Sequence, residues 1–198
     1  RSGVLNLGVE GMMLMGAVAA FAITSLSGNP YFGIIAAAAA GAMTAAIFAV
    51  LTLVLATNQV ATGLALTIFG TGLSGLVGAP FVGGTVDGLQ AVSIPVLSDL
   101  PVLGGLLFQL DLLAYGAFVM LALAAWFLNK SRAGLILRAV GNNHDSAHAL
   151  GYSVLRVRCA AVIFGGLMAG LAGAYLPLVL TPHWSEGMTA GRGWIALA

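Results

Sequence analysis

Charge is what this sequence has least of: 7% of its 198 residues are Asp, Glu, Lys or Arg, and their formal sum is +1. An ordinary soluble domain carries about a quarter charged residues. Water is therefore not the main solvent of this chain, and without a long basic track a nucleic-acid partner is excluded. Cysteine is nearly missing too, with Cys159 alone, so no internal disulfide and no metal-binding thiol cluster can form. The chain opens on Arg1 without a methionine and stops inside the hydrophobic stretch GWIALA, so it is expected to be a fragment, incomplete at both ends. Its first apolar run carries Asn6 and Glu10 and no small-residue cleavage pattern, so targeting is expected to rest on the membrane segments themselves. There is no GxxxxGK[ST] loop and no nucleophile elbow, and no HExxH surrounds His144 and His148. No catalytic residue, cofactor or metal is expected, and if ATP is used another subunit binds it.

What the chain has in abundance is apolar length, with 60% hydrophobic residues and a mean hydropathy of +1.05. A helix needs roughly 20 apolar residues to cross the hydrocarbon core, and five runs approach that length: residues 4–26, 32–56, 60–77, 110–128 and 159–180. Turn chemistry separates them, as SGNP, TNQ and NKSR. The fold class expected is all-α, a polytopic transmembrane helix bundle. The unbroken hydrophobicity of residues 34–54 excludes a transmembrane β-barrel, whose strands alternate in polarity.

Basic residues set the orientation. Five of the seven Lys and Arg, namely Lys130, Arg132, Arg138, Arg156 and Arg158, fall between the fourth and fifth runs, which places that loop in the cytoplasm. Residues 80–109 hold Asp87 and Asp99 but no Lys or Arg, and belong outside. Counting helices from either loop then puts TNQ in the cytoplasm and SGNP outside.

Several polar groups interrupt the apolar runs. A carboxylate at a helix centre is unfavourable by about 2.5–3.5 kcal/mol on insertion scales, so Glu10 needs a purpose. Asn6, four residues earlier, lies on the same helical face, so its amide is expected to bond the carboxyl. The pair is either a polar clamp between helices or part of a solute path. In the third run Gln59, Gly63, Thr67, Gly70, Ser74 and Gly78 recur at steps of three and four, forming one small or polar stripe. That stripe serves close helix packing, or walls a translocation path with Asn58 and Gln59 at its cytoplasmic mouth, along different halves of one helix. Gly166, Gly170 and Gly173 in the fifth run read as packing contacts, and Pro177 as a kink or end of that helix. His183 and Glu186 read as solvated residues of an external turn.

The loop GNNHDSAHALGYSVLRVR is the one stretch resembling a soluble surface. Asn142 or Asn143 suits an N-cap, Asp145 the first turn and Gly151 a left-handed stop, for a helix over residues 144–150. Two turns of helix are unstable alone, so a partner must hold it. Ala147 and Leu150 form its small apolar side, while Arg138, Arg156 and Arg158 suit lipid headgroups or an acidic partner.

LRAVGNNHDSAHALGYSVLRVR resembles the cytoplasmic coupling segment of permease subunits of bacterial ABC importers, in the branched-chain amino acid and ribose permease family. SGVLNLGVEGMMLMGA, with NQVATGLALT, GLMAGLAGAYL and EGMTAGRGWIALA, is similar to its simple sugar and nucleoside branch. The resemblance implies that residues 1–198 are a single transmembrane permease domain from a ten-helix-type fold, with residues 129–158 as a cytoplasmic loop bearing a coupling helix. It implies docking of cytoplasmic ATP-binding subunits on Gly141, Asn142, Asn143, His144, Asp145, Ala147, Leu150 and Gly151. It places Asn6, Glu10, Asn58, Gln59 and Thr67 on segments that flank the solute path. It further implies a second permease subunit, as homo- or heterodimer, an extracytoplasmic solute-binding lipoprotein, and a multi-pass location in the bacterial plasma membrane. The competing expectation is an ion- or proton-coupled secondary transporter or channel with no ATPase partner.

Overall fold

The structure, a computed structural model, describes residues 2–90 and 110–197. Eight α-helices occur among the described residues: α1 Val9–Ser27, α2 Pro30–Ala49, α3 Gln59–Gly78, α4 Leu112–Lys130, α5 Arg132–Asn142, α6 His144–Ala149, α7 Val154–Tyr175 and α8 Arg192–Ile195. Two of them continue as π-helical turns, α2 through Val50–Val54 and α7 through Leu176–Leu180. Pro177 lies in the second of these, where its missing N–H is accommodated by the wider turn. Five helical spans are long and apolar enough to cross a bilayer: Val9–Ser27, Pro30–Val54, Gln59–Phe81, Leu112–Lys130 and Val154–Leu180. The chain is a multi-pass helical membrane protein, as the hydropathy pattern requires. The part of the long expected external segment that includes Asp99 lies outside the described residues.

Helix ends follow local chemistry. Gly28, at φ 67°, stops α1 by returning its N–H to the Thr24 carbonyl at 2.8 Å. Asn29 then caps α2 through the Tyr31 N–H, with Pro30 as the first helical residue. Ser131 makes the corner at the basic pole: its hydroxyl donates to the Phe127 carbonyl at 2.7 Å and accepts from the Gly134 N–H at 2.9 Å. One residue so ends α4 and starts α5. The fifth span begins at Val154 rather than 159, carrying Arg156 and Arg158 on its first turns, since long cationic side chains reach headgroups from a helix end.

The first span departs from expectation. Residues 3–8 are not helical, and α1 starts at Val9. The Asn6 carboxamide oxygen accepts from the Gly8 N–H at 2.9 Å, a local Asx turn that competes with helix formation. Its amide nitrogen faces the Met12 sulfur at 3.5 Å. Asn6 therefore neither shares a helical face with Glu10 nor bonds its carboxyl.

The centre is a three-helix knot of α1, α2 and α7 whose backbones nearly touch. A Cβ added at Gly16 would collide with the Gly170 backbone, one at Gly41 with the Gly166 carbonyl, and one at Gly170 with the Ala37 carbonyl. Small residues replace bulk at every crossing, which is how membrane helices gain van der Waals contact without a hydrophobic driving force. Met12, Met13, Ala45 and Phe48 fill one layer, and Ala20, Ala37, Ala174 and Leu178 the layer nearer the end opposite the basic loop, called the outer end after the orientation expected from charge. α3 packs on α1, with the Gly11 Cα 2.7 Å from where a Gly70 side chain would begin. By contrast α4 buries none of its residues.

Sidedness is consistent from end to end. At one pole the Leu89 N–H reaches the Leu178 carbonyl at 2.8 Å, the Val86 N–H reaches Pro182 at 3.2 Å, and Thr85 bridges His183. At the other pole Gly3 lies against Gly141 and Arg158. Segments that helix counting assigns to one side do meet there.

Candidate functional site

Glu10 sits in the first turn of α1 and is 5% exposed. The helix from there to Ser27 is roughly 25 Å long at about 1.5 Å per residue, so with Ser27 at one face of a hydrocarbon core about 30 Å thick the carboxylate lies just inside the other. What meets it comes from the far end of the chain. After α7 the backbone turns at Thr181 and runs back along α1 without forming a helix until Arg192. Trp184, 2% exposed, packs on Ala17, Val18 and Phe21 near the outer end. Ten residues later the Trp194 indole N–H donates to the Leu7 carbonyl at 3.1 Å.

Between them the segment wraps Glu10. The Thr189 hydroxyl donates to Oε1 at 2.5 Å, the Gly191 N–H to the same oxygen at 2.8 Å, and the Gly193 N–H to Oε2 at 2.7 Å. Glycine is needed here: Gly191 has φ 81°, and a Cβ on Gly193 would stand 2.7 Å from Oε2. Both carboxylate oxygens are thus bonded inside the protein. Hydrogen bonds to a charged acceptor contribute about 1.5–3 kcal/mol each, which offsets the burial of the carboxylate.

Two interrupted elements meet at this point. Residues 3–8 rise non-helically from the basic pole to the start of α1, and residues 181–191 descend from the outer pole to the start of α8. Non-helical backbone at membrane depth is tolerated only inside protein or along a water-filled cavity, and such breaks mark solute sites in many transporters. Gln59 and Thr67 hold the rising element. The Gln59 Oε1 accepts from the Leu5 N–H at 2.9 Å. The Thr67 hydroxyl lies 3.1 Å from the Leu7 carbonyl and 3.2 Å from that of Gly63. Gly63, Thr67, Gly70, Ser74 and Gly78 of the small-residue stripe are buried on α3 together with Leu66, and the stripe lies against this element, α1 and Trp184. Asn58 stands apart, capping α3 through the Val60 and Ala61 N–H groups at 3.0 and 3.1 Å.

Thr189, Gly191, Gly193 and Trp194 were not singled out by sequence. The signal lay in TAGRG, a run of small residues and one arginine directly before an apolar stretch. It reads as a loop until its depth is known.

The second candidate site is at the basic pole. α5 ends at Asn142 and α6 covers His144–Ala149, with Asn143 between them. The Ala147 N–H returns to the Asn143 carbonyl at 3.2 Å, so Asn143 rather than Asn142 holds the N-cap position. Gly151, at φ 86°, closes the helix through its N–H to the His148 carbonyl at 2.9 Å, and the Tyr152 N–H reaches Ala147 at 3.2 Å. Ala147 is buried, whereas Leu150 is 76% exposed. The expected apolar side therefore splits, one residue holding the helix on the protein and one presented outward. Asn142, Asn143, Asp145 and Gly151 are exposed, and Gly141 lies half-buried against Gly3.

A bundle of membrane spans, broken by two opposed non-helical elements and carrying a short exposed helix on its basic pole, has the build of a membrane permease. The chain belongs to the family described as branched-chain amino acid transport system permease component, whose model matches residues 1–198. It is 41% identical over 202 residues to a putative glucose ABC transporter permease protein of Haloferax volcanii, covering 100% of this chain and 61% of that protein. It is 32% identical over 209 residues to a nucleoside ABC transporter permease protein of Lactococcus lactis, and 30% identical over 210 residues to a guanosine ABC transporter permease protein of Bacillus subtilis. Each of those matches covers 100% of this chain and 66% of the relative, so the chain spans less than two thirds of these relatives. No solved structure shows significant similarity to it.

Proposed function

We propose that this chain is the membrane-spanning core of a permease subunit in an ATP-driven importer, and that it moves nucleosides or simple sugars into the cell. One observation carries the reading: the permease family model matches every residue, and the relatives described are ABC permeases for glucose, a nucleoside and guanosine. The working complex pairs the permease with a second permease subunit, two cytoplasmic ATP-binding subunits and an extracytoplasmic solute-binding lipoprotein, in the bacterial plasma membrane.

In this reading α6, with Gly141–Gly151 around it, is the docking element. The exposed Leu150 and polar Asn142, Asn143 and Asp145 enter a groove on the ATP-binding subunit. Movement of that subunit is passed through α5 to α4 on one side and through residues 150–153 to α7 on the other. The solute passes between the rising element at Asn6–Glu10 and the descending element at Thr189–Trp194. Gln59 and Thr67 keep the first in place against α3, and Glu10 keeps the second.

The test is ATP hydrolysis by the full complex in lipid, with nucleosides and simple sugars offered in parallel. Stimulation by one class in the presence of the binding protein is the expected result. Uptake that persists without the ATP-binding subunits yet collapses with the proton gradient would instead establish a secondary transporter.

A further inference from the structure

Between α4, α5 and α7 lies an apolar cavity of about 360 Å3, within the range of about 300–1,000 Å3 typical of ligand pockets. Met120, Leu123 and Phe127 of α4, Leu137 of α5, and Ala161 and Phe164 of α7 line it. It separates α4 from the knot of the other helices.

Two arginines neighbour this lining along the chain. Leu137 is followed by Arg138, and Ala161 stands one helical turn after Arg158. The Nε atoms of Arg138 and Arg158 are both buried and have no hydrogen-bond partner. The Arg158 guanidinium lies 3.3 Å from where a side chain on Gly3 would begin, next to Ser2, which itself borders the cavity. A buried donor left without an acceptor is unfavourable by about 1–3 kcal/mol, and more on a charged group. Both belong to the basic segment that the charge pattern is expected to place at the cytoplasmic face.

We propose that this cavity is a binding site for an anionic phospholipid of the cytoplasmic leaflet, with an acyl chain between α4 and α7 and the phosphate on Arg138 and Arg158. The two halves of the site select that class together. A free phosphate or an acidic side chain of another protein answers the guanidinium groups and leaves the cavity empty. A zwitterionic lipid fills the cavity but carries its own cation against the arginines. Guanidinium donors match phosphate oxygens in charge and fork geometry, and basic pockets between membrane helices on the cytoplasmic side are established lipid sites.

The test uses the full-length permease purified in neutral detergent, offered equal amounts of phosphatidylglycerol and phosphatidylcholine, and weighed by native mass spectrometry. One retained phosphatidylglycerol is expected, with a preference of about tenfold, equivalent to about 1.4 kcal/mol. The preference should fall to parity in the Arg138→Gln/Arg158→Gln chain. Ala161→Trp, which fills the cavity and keeps both arginines, should lose the lipid as well. Thermal unfolding without added lipid confirms that each variant is folded. Equal retention of the two lipids by the unaltered chain overturns the proposal, as does unchanged phosphatidylglycerol retention in either folded variant. Displacement of the lipid by millimolar inorganic phosphate identifies an anion site without an acyl chain and also overturns it. So does loss of the ATP-binding subunits from the double variant with lipid retention unchanged, since the arginines then belong to a protein contact.

Discussion

Both oxygens of Glu10 are taken by donors from one segment, and two of its three partners are backbone N–H groups. Glu10→Ala leaves the Gly191 and Gly193 N–H groups and the Thr189 hydroxyl buried without an acceptor. It is expected to destabilise the full-length permease by on the order of 3 kcal/mol, read as a lower unfolding midpoint in detergent. Glu10→Gln keeps one acceptor and should fall between. An unchanged midpoint in Glu10→Ala would remove the brace. The carboxylate itself was conspicuous in a chain with so few charges, but its partners were not: Thr189 is 179 positions away, and a backbone donor carries no residue-specific signature. Glycine positions divide in the same way. A Cβ at Gly170 runs into the Ala37 carbonyl, whereas at Gly165 it meets nothing within 4 Å. Gly170→Val should abolish recovery of monodisperse protein on size exclusion, and Gly165→Ala should leave it intact. Sequence spacing alone ranks both as helix-packing glycines.

Five spans were legible because hydrophobic length is a property of a segment by itself. The start of α1 was not, since hydropathy averages over the Asx turn at Asn6 that holds residues 3–8 out of the helix. The descending element at residues 181–191 was missed for the opposite reason. Its polar, glycine-containing sequence is that of an external turn, and only tertiary contact with Glu10 and Leu7 reveals that it enters the membrane. α6 was legible almost to the residue, because its stop at Gly151 is written in local backbone chemistry. Gly151→Val forces a β-branched residue to φ 86°, a strain of about 1–3 kcal/mol. In the full complex it is expected to uncouple ATP hydrolysis from uptake while membrane insertion is retained. Leu150→Asp, which strains nothing, should weaken co-purification of the ATP-binding subunits. Normal uptake in the first and normal co-purification in the second would dismiss α6 as the docking helix.

Orientation belongs to the whole molecule, and the clustering of Lys and Arg sets the sense expected for it. In a Cys159→Ser background, Ser27→Cys should react with a membrane-impermeant maleimide in intact cells, and Ser153→Cys only after permeabilisation. The converse labelling pattern would invert the topology. The glycine crossings of α1, α2 and α7 have a mechanical corollary. Where backbone carbonyls occupy the places of side chains, no rotamer change can let one helix glide over another, so those three are expected to move as one rigid body, a pier for the rest. α4 is different: it buries no residue, touches the pier across an apolar cavity, and is tied at its outer end by the Tyr175 hydroxyl donating to Asp111 at 3.1 Å. It is expected to swing like a boom about that tie, with α5 moving at its far end. In a Cys159→Ser background, a reducible bifunctional maleimide spanning Leu123→Cys and Phe164→Cys, which would lash that boom to the pier, should stop uptake reversibly, with reductant restoring it.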